Sequence, residues 1–393
     1  MTKNKKIVYV LSSARALGGA SKSFLMMLEG VARLGVEPIV VVPDDGPICK
    51  PLQEMNIGYI VVHYRFATYP EKRTLKDLLL FLPRFLVRQV MNIWAVYSLF
   101  RQLKGTGIAL VHTNVSVVDI GFRLSRKLGV PHVYHIREYA DIDFDLHYYP
   151  SKQHFRRALV ANDSYSICIT RDIQQYHGQA DNPNSRVIYN GICSEVSEFP
   201  HHETGDYMLY AGRVEYTKGL DLLLKAYVLC KERGDYLLPL YVAGRIADAQ
   251  YMHDIESYIH QNKLSDSIVF LGERTDMDSL LSQTHFLVVT SRSEAFGRCM
   301  PEAMFHGCLV IANDTAGTKE QLDNGLRMTG EEIALRFHSV IELADCLHEV
   351  DVKPLSYFTP MRQRAFDVVN SIYTAEENAR QVYRFYLDIL GRI

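Results

Sequence analysis

"FLVVTSRSEAFGRCMPEAMFHGCLVIA", residues 286–312, is the stretch on which the fold turns. Two nearly continuous apolar runs, FLVVT (286–290) and LVIA (309–312), enclose a polar segment and a short helix-like one. Such runs suit parallel strands buried on both faces, and a helix is the usual link between two of them. Pro301 suits the first position of a helix that ends at Gly307, with Glu302 in its first turn, where the helix dipole favours an acid. Glu294 falls on the loop just after the first strand. Ligands of open α/β sheets bind at the carboxyl ends of the strands. The two carboxylates, with seven residues between them, are therefore candidate ligand contacts.

The same alternation extends in both directions. Strand-like runs at 7–12, 38–43, 58–63, 108–113 and 132–136 are separated by helix-like patterns such as 21–35 and 117–129, both ending in glycine. A second series follows at 207–212, 240–244, 268–272, 286–290 and 309–312. Two consecutive series predict an α/β protein of two Rossmann-like, doubly wound domains facing each other across a cleft. The expected division is 1–195, 205–373 and a C-terminal helix, 374–393, with the seam in the polar segment 195–206. That helix is apolar at Val382, Tyr383, Tyr386 and Leu387, the spacing of one buried face, and is expected to pack back on the N-terminal domain.

A chain of 393 residues exceeds what one core usually supports, which agrees with two domains. Its 43 basic and 45 acidic residues argue against wholesale binding to a polyanion, so no nucleic-acid partner is expected. The seven cysteines show no zinc spacing and suit a reduced compartment. The N-terminal apolar run is too short for a signal peptide and reads as a first strand, so a cytoplasmic location is expected.

Other candidate residues lie just after strands. LGGAS (17–21) leads into a helix whose N–H groups suit an anion, with Gly18 and Gly19 allowing close approach. A tight strand–helix turn explains it equally well. AGRVEYTKGLD (211–221) places Gly212, Arg213 and Lys218 before another helix, two cations that suit a diphosphate or serve as solvated surface charge. Glu294 and Glu302 could each grip a vicinal diol, with the N–H groups of Phe296, Gly297 and Arg298 reaching further hydroxyls. Alone they would read as a surface glutamate beside a capping one. Asp141, Asp143 and Asp145 alternate as oxygen donors for a metal would, although acidic loops are usually solvated. His112 and His135 end strands, whereas His201 and His202 sit in the polar seam.

Taken together, GR…KG, SRSEAFGRCMPEAMFHGCLVIANDTAGTKE, GGASKS, HTN (112–114), VPHVYHIRE (130–138) and VIYNGI (187–192) resemble the family-4 retaining glycosyltransferases of the GT-B fold. The resemblance runs from residue 7 to about residue 320. It implies transfer of a sugar from a nucleotide-diphosphate sugar to a hydroxyl acceptor with retention, with neither a metal nor a cofactor. By that resemblance Arg213 and Lys218 bind the donor diphosphate, Gly19 lies beside the phosphates, Gly18 and Gly212 belong to the donor site, and Glu302 holds the ribose. Glu294 and the backbone from Phe296 through Gly297 to Arg298 hold the sugar, and His135 lies near its anomeric carbon. Ala295 and Arg298 depart from the usual pattern and leave the donor sugar open. An epimerase of the same fold and a non-catalytic nucleotide-sugar-binding subunit are the alternatives.

Residues 72–104 carry seven basic residues against one acid, Asp77, among many apolar ones. Arg84, Arg88 and Asn92 form a narrow polar stripe at helical spacing. The expectation is an interfacial helix held by apolar burial and anionic lipid, with a core helix as the alternative. A lipid-linked glycan at the inner face of the plasma membrane is then the expected acceptor. This suits capsular or exopolysaccharide assembly, which the resemblance also suggests.

Overall fold

The structure, a computed structural model, describes residues 5–15, 18–71, 74–196, 198–200 and 205–392. His201, His202, Lys72, Arg73 and Leu17, singled out above, lie outside the described residues. The chain divides into two compact units, Met1–Gly191 with Ala375–Ile393, and Ile192–Thr374. Each is built on a parallel sheet, as the two strand series predict.

In the first unit the sheet order is Gly58–Val61, Val36–Val42, Lys5–Val10, Ile108–Thr113, His132–Ile136, Ser164–Cys168 and Ser185–Val187. In the second it is Ile268–Gly272, Leu240–Ala243, Met208–Ala211, Phe286–Val289, Leu309–Asn313 and Leu335–Phe337. Every pairing within these two sheets is parallel. The central strands are apolar throughout because helices cover both faces. Three strands of these two sheets escape the sequence reading, as does the separate antiparallel pair Thr68–Pro70 and Leu146–Tyr148. SYSIC (164–168) alternates serine with apolar residues, yet all five are buried, because a serine is small enough to sit under a helix. The other two, Ser185–Val187 and Leu335–Phe337, are edge strands of three residues with too little pattern to read.

The core of the first unit joins Phe24, Met27, Leu28 and Val31 of the helix Gly19–Arg33 to Val382, Phe385, Tyr386 and Ile389 of the helix Ala375–Leu390. The chain thus leaves this unit after Gly191 and returns at Ala375 to complete its core. Of the four residues whose spacing marked the helix face, Val382 and Tyr386 are fully buried, whereas Leu387 is exposed. The two helices touch so closely that a Cβ on Gly30 would lie 2.4 Å from the Cβ of Ala379.

The helix Leu75–Leu103 opens with a capping box between Thr74 and Asp77 and runs through Pro83, about 43 Å long at 1.5 Å per residue. Of its polar stripe Arg84 is exposed, but Arg88 and Asn92 turn to the protein. Asn92 is fully buried and exchanges two hydrogen bonds with the backbone of Arg65, accepting at 2.9 Å and donating at 3.0 Å. Arg88 donates to the Thr68 carbonyl at 3.3 Å and lies 4.6 Å over the Tyr69 ring. Phe81 and Phe85 pack around Tyr69 and Tyr149. A loop backbone needs polar partners, so Arg88 and Asn92 turned inward and the leucines did not.

Gly30→Ala should destabilise the first unit by about 1–3 kcal/mol, the usual cost of overpacking. Adding Ala379→Gly should recover most of it, because the space is returned. Urea unfolding of the single and double variants measures this, and equal loss in both would exclude a docked C-terminal helix.

Candidate functional site

In the second sheet, Met208–Ala211 and Phe286–Val289 are neighbours, but the chain leaves them in opposite directions. One leads through the helix Leu220–Arg233 to Leu240–Ala243, the other through Cys299–Phe305 to Leu309–Asn313. Such a reversal opens a crevice at the carboxyl ends, bordered by residues 212–219 and 290–298.

The two loops are pinned to each other. Arg292 grips Asp221 with two hydrogen bonds, at 2.9 and 2.7 Å, and also donates to the Tyr216 carbonyl at 2.7 Å. Its guanidinium lies 4.0 Å over the Tyr216 ring. The Arg292 N–H donates to the Thr217 carbonyl at 2.8 Å, and the Thr290 hydroxyl to the Lys218 carbonyl at 3.2 Å. Burial alone would raise the Asp221 pKa, but hydrogen bonds from Arg292, Tyr251 and Lys225 outweigh it and hold it at about 2. Gly219 has φ of 69°, and a Cβ there would fall 2.2 Å from the Thr290 carbonyl oxygen, so a side chain would force the loops apart.

Within this frame Lys218 and Glu294 meet at 2.6 Å, and the Ser291 hydroxyl donates to the same carboxylate oxygen at 2.7 Å. Burial would lower the Lys218 pKa, yet the Glu294 carboxylate more than offsets this and raises it. The main chain at 294–297 is held from behind. Gly317 N–H donates to the Glu294 carbonyl at 2.8 Å, and the Gln321 amide to the Phe296 carbonyl. The Phe296 ring is buried edge-on against Tyr373, 5.6 Å away, and Gly297 turns the chain with φ of 77°. The following helix begins at Cys299, not at Pro301. Pro301 is tolerated there because first-turn N–H groups have no intrahelical acceptor. Glu302 is gripped by Arg298 at 3.0 and 2.8 Å, and Arg213 pairs with Glu215 at 2.8 Å. Gly212, Arg213, Lys218, Glu294, Gly297, Arg298 and Glu302 are all partly exposed.

In the first unit Gly18 is the N-cap of the helix Gly19–Arg33, and both glycines are exposed. His135 is instead fully buried. Its Nδ1 receives Arg137 at 3.2 Å and lies 3.3 Å from Nε2 of His112, whose Nδ1 meets the Tyr386 hydroxyl at 2.6 Å. Burial first and then Arg137 hold both histidine pKa values well below the usual range, with His112 adding to this at His135 and His132 at His112, so both rings are neutral. A guanidinium only donates, so His135 Nδ1 accepts and its proton sits on Nε2. His112 Nε2 must then donate, and the Tyr386 hydroxyl donates to His112 Nδ1. His135 Nε2 has no partner among the described residues. Asn114 and Asn190 hold Arg137 at 3.0 and 2.5 Å.

The acidic triplet is dispersed among other partners. Asp141 accepts from the Tyr176 hydroxyl at 2.5 Å, Asp143 from the Tyr139 N–H at 2.9 Å, and Asp145 lies 3.2 Å from His147. Asp221, Tyr251, Arg137 and Tyr386 escaped the sequence reading of the site. Arg292, two residues before Glu294, was a readable cation, but its partner is adjacent only through the sheet order.

The sheets and the switch-point loops define the GT-B fold of sugar-transferring enzymes. Two family models match, "Glycosyl transferase 4-like domain" over residues 18–191 and "Glycosyl transferases group 1" over residues 195–345. Residues 18–191 are thus similar to the one family domain and residues 195–345 to the other, which supports a glycosyltransferase. The chain is 28% identical over 229 residues to an uncharacterized glycosyltransferase of Methanocaldococcus jannaschii, covering 57% of this chain and 61% of that protein. It is 31% identical over 126 residues to the lipopolysaccharide core biosynthesis mannosyltransferase LpsB of Rhizobium meliloti, 31% of this chain and 35% of that one. These alignments span less than two thirds of either relative. Among solved structures, HepE of Anabaena in complex with UDP-glucose matches with a TM-score of 0.73 at 18% identity, over 99% of this chain and 100% of that one.

Tyr386→Phe keeps the ring and removes the donor that the His112 assignment requires. Leaving a buried acceptor unpaired should cost about 1–3 kcal/mol in denaturant unfolding. Imidazole 15N shifts should place the proton of His112 on Nε2 in the parent protein and change in the variant. A parent protein with His112 protonated on Nδ1 would reverse the direction of the chain.

Proposed function

We propose that the protein is a retaining glycosyltransferase that moves a sugar from a nucleotide-diphosphate sugar to a hydroxyl acceptor. The Lys218–Glu294 contact at the switch point carries this reading. It sets a cation beside a carboxylate on two loops fixed by a third pair, Asp221–Arg292. The similar HepE structures, in complex with UDP and with UDP-glucose, support a nucleotide-sugar donor.

Arg213 and Lys218 would compensate the charge that builds on the departing diphosphate, the largest kind of catalytic contribution in group transfer. On binding, phosphate oxygens would replace the carboxylate partners of these cations. Glu294, released from Lys218, would accept from sugar hydroxyls, and Glu302, released from Arg298, from the ribose. The N–H groups of Phe296, Gly297 and Arg298 are assigned to the sugar, Gly212 to close backbone approach, and Gly18 and Gly19 to the phosphates. Retention would follow if the departing phosphate takes the acceptor proton on the face it leaves, which requires no general base. His135 enters through the resemblance alone, since its ring is fully buried. With the charge met by protein cations, no metal is required.

We take the acceptor to be a lipid-linked glycan, met in the cytoplasm at the inner face of the plasma membrane. The relatives named for lipopolysaccharide core and O-antigen biosynthesis support a role in polysaccharide assembly, capsular or exopolysaccharide assembly included.

Arg213→Ala and Lys218→Ala should each lower turnover on the order of 10²-fold, comparable to losing one preorganised charge-stabilising donor. Glu294→Ala should lower kcat, because its partner distorts in the transition state, whereas Glu302→Ala should chiefly weaken nucleotide binding. Single-turnover transfer, with the donor chosen by thermal stabilisation of the protein, checks these. Near-normal kcat in Glu294→Ala would remove it from the sugar site. Chelator should leave the rate unchanged, and a loss restored by Mg²⁺ would assign the charge compensation to a metal.

A further inference from the structure

The helix Leu75–Leu103 presents to solvent what a soluble domain usually hides. Leu79, Leu82, Leu86, Val90, Ile93 and Tyr97 recur at steps of three and four residues, one face of a helix, and all six are more than half exposed. Trp94 beside them is 63% exposed. Single exposed leucines are ordinary, but a row spanning several turns marks an interaction surface.

The charges decide the partner. No acidic residue of this helix is exposed, since Asp77, its one acid, is half-buried in the capping box. The exposed basic residues are Lys76 at one end, Arg84 within the helix, and Arg101 and Lys104 at the other end. At the second end Lys127 lies 5.9 Å over the Tyr97 ring and 5.3 Å over that of Phe100. A second copy of the helix, antiparallel or parallel, would bring basic end against basic end with no acid to compensate. An anionic bilayer matches both features, apolar chains under the row and acidic headgroups at its ends.

By length and mean hydropathy, 1.3, the helix could also cross a membrane. Its packing opposes that. Asn92, Ala95, Val96, Leu99 and Leu103 are buried in the unit, and Arg88 and Asn92 are spent on the backbone of residues 65–68. Extracting the helix would strip those carbonyls and bring two polar side chains into hydrocarbon.

We propose that the protein docks on anionic membrane through this outward face, with the helix lying in the plane of the headgroups. The assignment does not depend on the donor site, and it supplies the surface that a lipid-linked acceptor requires. Trp94, the only tryptophan in the chain, reports directly on it. Vesicles of phosphatidylglycerol and phosphatidylcholine should blue-shift its emission and carry the protein upward in flotation. Vesicles of phosphatidylcholine alone should do so at least ten-fold more weakly, and 0.5 M salt should release most of the bound protein. Leu79→Glu with Leu86→Glu and Ile93→Glu should abolish both signals while leaving donor-induced thermal stabilisation unchanged, since all three side chains are in solvent. Unshifted emission and no flotation on anionic vesicles at low salt would overturn the proposal. So would equal binding to neutral vesicles. A blue-shifted Trp94 without lipid, together with twice the 44.9 kDa chain mass by light scattering, would assign the face to a second copy.

Discussion

The grip of Arg292 on Asp221 is the contact on which the switch point depends. Exposed ion pairs of this chain, such as Arg33–Glu29, are worth about 0–1 kcal/mol each and position nothing. Arg292–Asp221 differs in kind. Two parallel hydrogen bonds, a third to the Tyr216 carbonyl and a face-on ring fix the guanidinium in all directions. Because one partner follows Met208–Ala211 and the other Phe286–Val289, the pair closes the gap between strands whose connections diverge. Loops that leave a sheet in opposite directions have no helix between them to set their spacing. The pair and the bare Gly219 set it instead.

Once the spacing is set, the chemistry of the neighbours follows. Lys218 and Glu294 neutralise each other, and so do Arg298 with Glu302 and Arg213 with Glu215. Burying unpaired charges of one sign for a ligand that carries the other would cost several kcal/mol while they waited. Pairing each cation with a carboxylate avoids that cost, because an ammonium that has a carboxylate can exchange it for a phosphate. The same exchange frees a carboxylate for hydroxyls. The first unit uses the opposite device, two neutral histidines oriented by Arg137 and Tyr386. That network carries no net charge to compensate beyond the guanidinium.

The strands, the two units and the fold class were legible because buried parallel strands must be apolar along their whole length, a pattern that survives in one dimension. Ser164–Cys168 was not legible, since burial of small hydroxyls breaks that pattern without breaking the sheet. Glu294, Glu302, Arg213 and Lys218 stood out by residue type and by position after strands. Their partners did not. That Lys218 would meet Glu294, 76 residues away, follows from the strand order and not from either motif. The Tyr386–His112 contact spans 274 residues and needs the C-terminal helix in place, so no local spacing reveals it.

The stripe of Arg84, Arg88 and Asn92 shows where periodicity stops. A helical repeat tells which residues share a face, but not whether that face meets water or protein. The usual assumption sends polar residues outward; on Leu75–Leu103 it holds for Arg84 and fails for Arg88 and Asn92, because the neighbouring loop has carbonyl and N–H groups to satisfy. Those groups take Asn92 and Arg88 at a range of about 3 Å, and the rotation this imposes turns the leucines out. Solvent exposure of so many apolar groups is unfavourable by roughly 25 cal/mol for each square ångström, so water alone does not explain the arrangement. A surface that buries the row removes that penalty, and the lack of exposed acid along the helix fits the negative surface proposed for it. The inward hydrogen bonds and the outward apolar row are thus two consequences of one rotation.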